Sequence, residues 1–108
     1  MWAQLIKLRV RPGTDAEVGR LVEQLRATEQ PESGLVREFA LRDQKDSTSI
    51  YVLAVFESEE KARAREQDPR RTEGLQTLNA MLAEVLAGPP EFVDLEVMDE
   101  IRMPSSEQ

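Results

Sequence analysis

The stretch LIKLRVRPGTDAEVGRLVEQLRATEQPESGLVREFALR, residues 5–42, decides the fold. Leu5 to Val10 predicts a strand, Arg11-Pro12-Gly13 a turn, Thr14 to Gln30 a helix and Leu35 to Arg42 a second strand. Thr14-Asp15-Ala16-Glu17 has the pattern of a reciprocal capping box, in which hydroxyl and carboxylate each satisfy an orphan backbone donor. Val18, Leu21, Val22 and Leu25 then recur at helical spacing and form one apolar stripe, so this helix must lie on another surface. Pro31 and Ser33-Gly34 break it. In the following strand Leu35, Phe39 and Leu41 are expected on one face, with Arg37 as the exception.

Downstream, Asp43 to Thr48 is a polar loop of hairpin length, and Ser49 to Glu57 is the strongest strand signal, apolar on both faces. Ser58-Glu59-Glu60 opens a short helical turn toward Glu66 that Asp68-Pro69 interrupts. Leu75, Leu78, Leu82, Val85 and Leu86 make the stripe of a second long helix, which Gly88-Pro89-Pro90 ends. Phe92 to Ile101 predicts a last strand, and Arg102 to Gln108 a disordered polar tail, leaving residues 1–101 as one domain. The order β-α-β-β-α-β is that of the ferredoxin-like α+β fold, a four-stranded antiparallel sheet with two helices on one face. Ile50, Val52, Ala54 and Phe56 point to one side of the central strand and Tyr51, Leu53 and Val55 to the other, yet helices cover one side only. A homodimer with its sheets face to face answers this; shielding of the open face by the stems of Lys7 and Arg9 is the alternative.

Composition narrows the chemistry. The 108 residues carry 14 basic and 21 acidic side chains, a formal charge of −7 that repels phosphate backbones and anionic lipid, so neither nucleic acid nor membrane is an expected partner. There is no cysteine and no histidine, which removes disulfides, thiolate metal sites and the usual ligand of zinc, copper and haem iron. Neither a metal nor a cofactor is expected. Lys7, Arg9 and Arg11 interrupt the N-terminal apolar run, no run has the length of a membrane span, and a cytoplasmic protein is expected. The acidic residues Glu57, Glu59, Glu60, Asp43 and Asp46 show no calcium-loop spacing, and no nucleophile elbow, dinucleotide fingerprint or phosphate loop is present.

The run of strand, Arg11-Pro12-Gly13, capped helix, Pro31 with Gly34, Phe39, Arg42-Asp43, Phe56-Glu57-Ser58-Glu59-Glu60 and Asp68-Pro69 resembles the antibiotic biosynthesis monooxygenase-like family of dimeric α+β barrels. The resemblance spans residues 1 to about 100 and rests on turns, caps and breakers, which point to fold more than to activity. It implies one of several trades: cofactor-independent oxygenation of phenolic or quinol substrates, haem degradation, or no assigned reaction. Where many members carry histidines, after the third strand and after the proline, this chain has Arg65 and Arg70. Arginine keeps its proton and only donates, so the change replaces a proton acceptor with a fixed charge suited to a carboxylate or phenolate. Pairing with Glu59, Glu66 or Asp68 in a solvated cluster is the alternative. The haem-degrading branch needs an asparagine, a tryptophan and a histidine where Ile6, Arg65 and Leu75 stand, and leucine cannot ligate iron.

An oxygenase without metal or flavin needs a dry apolar pocket and one or two polar contacts. The resemblance offers Tyr51 and Arg65 as catalytic candidates, Tyr51 to hydrogen-bond a substrate oxygen and Arg65 to hold an anion; Trp2, Phe39, Phe56 and Arg70 are candidate substrate contacts. Each has a structural alternative: Tyr51 in a dimer interface, Trp2 plugging a sheet end, Phe39 and Phe56 in the core. Three functions stay open at this point: a cofactor-independent monooxygenase of a small aromatic or quinol, a non-catalytic binder of small aromatic or acidic molecules, and a structural or stress-associated homodimer module.

Overall fold

The computed structural model describes residues 1–104. Its elements run β1 (Trp2–Arg9), α1 (Asp15–Thr28), β2 (Leu35–Arg42), β3 (Ser49–Phe56), α2 (Glu59–Glu66), a 3-10 turn (Pro69–Arg71), α3 (Thr72–Val85) and β4 (Glu91–Glu96). The four strands form one open antiparallel sheet in the order β2-β3-β1-β4, so the ferredoxin-like α+β fold expected from the element order is the fold observed. The segment expected as a short helical turn is the two-turn helix α2, begun where the Ser58 hydroxyl accepts from Lys61 N at 3.1 Å.

Four local expectations change. β1 starts at Trp2 rather than Leu5, because it is paired on both sides, with β3 up to Phe56 and with β4 up to Glu96. β4 ends at Glu96 rather than Ile101 for the same reason: Glu96 lies opposite Trp2, and beyond it β1 has almost no chain left to pair. The capping box at α1 does not form. Gly13, at φ 77°, turns the chain so that the Thr14 hydroxyl donates to Arg11 O at 2.6 Å, and no side-chain cap remains for the helix. In β2 the register against β3 shifts between Leu35 and Arg37, so Leu35 joins the helix-covered face while Phe39 and Leu41 face the other way. Of the expected tail, residues 102–104 are exposed without regular structure and residues 105–108 lie outside the described residues.

The core lies between the helix layer and one sheet face. Leu8, Ile50 and Val52 from the sheet meet Val18 and Leu21 of α1 and Leu78 and Val85 of α3, as the two apolar stripes require. A second cluster at the other end joins Trp2, Ala54 and Phe56 to Ala62 of α2. The opposite sheet face carries Leu5, Phe39, Leu41, Leu53, Val55 and Leu95, with Phe39 and Leu41 each 45% exposed. Helices α1 and α3 close on each other where Gly74 leaves no side chain: a Cβ there would lie 2.5 Å from Thr28 Oγ1. Thr28 is buried and donates to Gln24 O, while Gln24 Nε2 donates to Gly74 O at 3.2 Å, so the contact is braced on both sides.

Two glycines of the helix layer therefore behave oppositely. Gly74→Ala should destabilise by about 1–3 kcal/mol because the braced Thr28 cannot yield. Gly19→Ala, in exposed α1 with nothing within 4 Å, should stabilise by about 0.5–1 kcal/mol. Urea unfolding of both variants beside the parent checks the pair.

Candidate active site

A cavity of about 250 Å³ opens between the helix layer and the covered sheet face. Its walls are apolar: Ile6, Val52 and Phe56 from the sheet, Leu25 from α1, and Leu75 and Leu78 from α3. An apolar cavity of about 150 Å³ takes benzene, so this one has room for a one- or two-ring aromatic. Phe92, 60% exposed on the edge strand, and Trp2 stand at its rim with Gln4 and Glu66. Outside Trp2, Arg63 lies 5.0 Å from the indole centroid and bridges α2 to β4 through Asp94 Oδ2 at 2.9 Å.

Charge collects at one end. Glu29, just past α1, holds Arg65 of α2 in a fork: Arg65 Nε donates to its two oxygens at 3.2 and 3.1 Å and Nη2 at 2.5 Å. The Ser33 hydroxyl donates to the same carboxylate. Burial acts to raise the Glu29 pKa, but the hydrogen bonds from Arg65 and Ser33 and the charges of Arg65 and Arg71 outweigh it, and the carboxyl sits below its ordinary range. Arg65 also lies 5.2 Å from the Phe56 ring centroid. Arg71, only 6% exposed, lines the cavity; its Nη1 donates to Arg65 O at 3.3 Å, and its Nε is buried without a hydrogen-bond partner.

Glu38 also lines the cavity. It sits on the covered face of β2 opposite Ala54, whose short side chain leaves room beside it. Desolvation pushes its pKa up; Glu29 adds to the rise, and Arg65 and Arg71 oppose it without cancelling it. Sequence reasoning singled out neither Glu38 nor Arg71. A signal for Arg71 was present: 71, 75 and 78 fall at helical spacing, which aligns it with Leu75 and Leu78.

Of the six site residues expected from the sequence, the structure brings three together. Trp2, Phe56 and Arg65 line the cavity, the two aromatics also packing on each other at 5.9 Å. Tyr51 and Phe39 point to the opposite, open face, Tyr51 across from Lys7 and Leu41 and Phe39 across from Leu53. Arg70 lies at the surface, its guanidinium on Asp68 at 2.7 Å, as the charge-cluster alternative anticipated. Arg65 is paired too, but with Glu29 rather than with Glu59, Glu66 or Asp68.

The family model for antibiotic biosynthesis monooxygenase matches residues 1–77. The chain belongs to this family. No curated protein matches it. Among solved structures, a protein of unknown function from Nitrosomonas europaea is 22% identical, with a TM-score of 0.72 over 97% of this chain and 95% of its own. A Mycobacterium tuberculosis protein is 16% identical, with a TM-score of 0.71 over 94% of this chain and 98% of its own. SnoaB from Streptomyces nogalater, described as a cofactor-independent oxygenase, is 16% identical, with a TM-score of 0.70 over 94% and 97%. At these identities the likeness is one of fold. The matched antibiotic biosynthesis monooxygenase region contains Glu29, Glu38, Arg65 and Arg71, but ends before Leu78 and Phe92, which complete the cavity. Among the described residues no helix is long and apolar enough to cross a membrane, and no group of three or more acidic side chains could hold a metal ion.

The shift at Glu38 has a stability consequence of definite sign. Its folded-state pKa lies above the ordinary 4.5, so the folded protein binds this proton more tightly than the unfolded chain. Stability contributed by the protonated form is present below the unfolded value and is lost as pH rises through the folded one. Glu38→Gln should therefore raise the melting midpoint at neutral pH, and the gain should disappear below about pH 4.5. Thermal unfolding of parent and variant from about pH 4 to about pH 8 reads both parts.

Proposed function

We propose that this chain is a cofactor-independent oxygenase of a small phenol- or quinol-type aromatic held in the cavity between helices and sheet. The observation that carries the reading is a largely apolar cavity between helices and sheet whose lining also includes the Arg65 and Arg71 guanidiniums and the Glu38 carboxyl. Apolar walls fit the ring, and a polar end fits its oxygen. Arg65, expected to hold the anion itself, acts instead through Glu29 and Phe56 to set the shape of that end.

The reaction draws its electrons from the substrate. The phenol loses its hydroxyl proton, and the phenolate, carbanion-like at a neighbouring ring carbon, passes electrons to dioxygen. In net terms a ring C–H and the phenol C–OH, with O2, become two C=O groups and H2O: one oxygen atom of O2 enters the ring carbon and the other leaves as water with both hydrogens. The protein's part is to exclude water, orient the ring and stabilise the oxyanion. SnoaB supports the class of chemistry, being a cofactor-independent oxygenase of like fold.

We further infer that two copies meet through their open sheet faces. Leu5, Phe39, Leu41, Leu53 and Leu95 make an apolar surface that a second copy would cover, with Tyr51 among them as an amphipathic interface residue.

Small one- and two-ring phenols and quinols should raise the melting midpoint, by about 2.7 kcal/mol of stability at 100 times the dissociation constant, and should drive oxygen uptake. Ala62→Leu, which projects into the cavity from α2, should weaken both at least about tenfold while the fold persists. Stabilisation without oxygen uptake would make the chain a binding protein, and no stabilisation by any of them would leave a structural module. Leu53→Lys should convert a dimer to a monomer in light scattering; an unchanged mass would remove the face-to-face assembly.

A further inference from the structure

We propose that Glu38 and Arg71 are the reacting pair of the cavity: the Glu38 carboxylate takes the proton of a neutral hydroxyarene, and the Arg71 guanidinium holds the oxyanion left behind. This rests on the reading above that the cavity binds a small aromatic, and it narrows the substrate to one- or two-ring compounds with an ionisable hydroxyl. Two carboxylates and two guanidiniums gather at the polar end, but they are not equivalent. Glu29 and Arg65 are spent on each other and on Ser33. Arg71 keeps a buried N–H without an acceptor, and Glu38 shares the cavity wall with it while their charges act on each other.

Such an arrangement suits a neutral substrate. The substrate O–H bond breaks, an O–H bond forms on Glu38, and the electron pair stays on the substrate oxygen. One negative charge moves from Glu38 to the ligand and the charge of the cavity is unchanged, so no ion is added to a low-dielectric site. The new oxyanion lies against the Arg71 guanidinium, which lines the same cavity. An aromatic carboxylate, by contrast, would bring a third negative charge beside Glu38 and Glu29, so hydroxyarenes should be preferred to aromatic acids. A carboxyl whose proton is held more tightly than usual is also a better acceptor near neutral pH than an ordinary surface glutamate.

The test uses para-nitrophenol, whose phenol and phenolate forms absorb differently, and nitrobenzene, which lacks the hydroxyl. Absorbance and calorimetry in two buffers of different ionisation enthalpy are read at a pH about one unit below the probe's own midpoint. The parent protein should bind para-nitrophenol with the phenolate band, release no net proton, and prefer it to nitrobenzene and to para-nitrobenzoate by at least about tenfold. With Glu38→Gln the phenolate form should bind only by shedding its proton to buffer, so apparent affinity should climb about tenfold per pH unit. With Arg71→Gln the bound probe should keep the phenol band. A phenol band in the parent, equal proton release in the parent and Glu38→Gln, or equal affinity for nitrobenzene would overturn the assignment while leaving the aromatic cavity in place. Binding of neither probe by the parent would remove both readings.

Discussion

The bidentate ion pair between Glu29 and Arg65 is the interaction on which the polar end of the cavity depends. It ties the end of α1 to the last turn of α2, 36 residues on, and it consumes the carboxylate and the guanidinium that would otherwise be most available. A buried ion pair of this kind does little for net stability, since desolvation offsets most of its Coulombic gain. Its effect here is positional. With Arg65 fixed, its carbonyl accepts from Arg71 Nη1, which holds the second guanidinium under α3 with its Nε unsatisfied. Breaking the pair would disturb four charges at once, because each of them senses the others.

The fold was legible because its signals were redundant. Two apolar stripes at helical spacing, breakers at Pro31 and Gly88 and the apolar run Ser49–Phe56 all point to the same arrangement, and the structure has the helices and the strand where they require them. The site was less legible, and part of the reason lies in the alternation of strands. Tyr51 and Phe56 differ by an odd number of residues in one strand, so they face opposite ways and cannot share a pocket. That constraint was present in the sequence. The bulge after Leu35 was not: it breaks the parity of β2, moving Leu35 to the covered face and Phe39 to the open one, and only the pairing register reveals it. Glu38 was hidden by the same event, since its face follows from the shifted register. Arg65 and its partner Glu29 are far apart in sequence, and no spacing rule connects them.

Where local rules are broken, they are broken together. A glutamate on the covered face of a strand, an arginine without a full set of acceptors and an apolar cavity left unfilled each cost stability, and all three meet at one end of one cavity. Elsewhere the helix layer is well made: Gly74 fits Thr28, the α1 and α3 stripes close on the sheet, and Arg63 straps α2 to the edge strand over Trp2. Concentration of unfavourable terms within a sound frame is the pattern of a binding site rather than of careless packing.

The absence of histidine looks at first like the loss of a proton acceptor, yet the physics of the cavity supplies another. An imidazole acts near neutrality because its intrinsic pKa lies there; a carboxyl reaches toward the same range only when something penalises its charge. Burial pushes the Glu38 pKa up in this way, and the two neighbouring guanidiniums oppose the rise without cancelling it. The same guanidiniums then favour an anion on whichever partner carries it, carboxylate before a proton moves and substrate oxygen after. An acid so placed needs no histidine to orient it, because the strand β2 and its register against Ala54 already do so. In the reading proposed here, therefore, Arg65 shapes the site as a fixed positive charge on the helix, and Glu38 on the sheet is the proton acceptor.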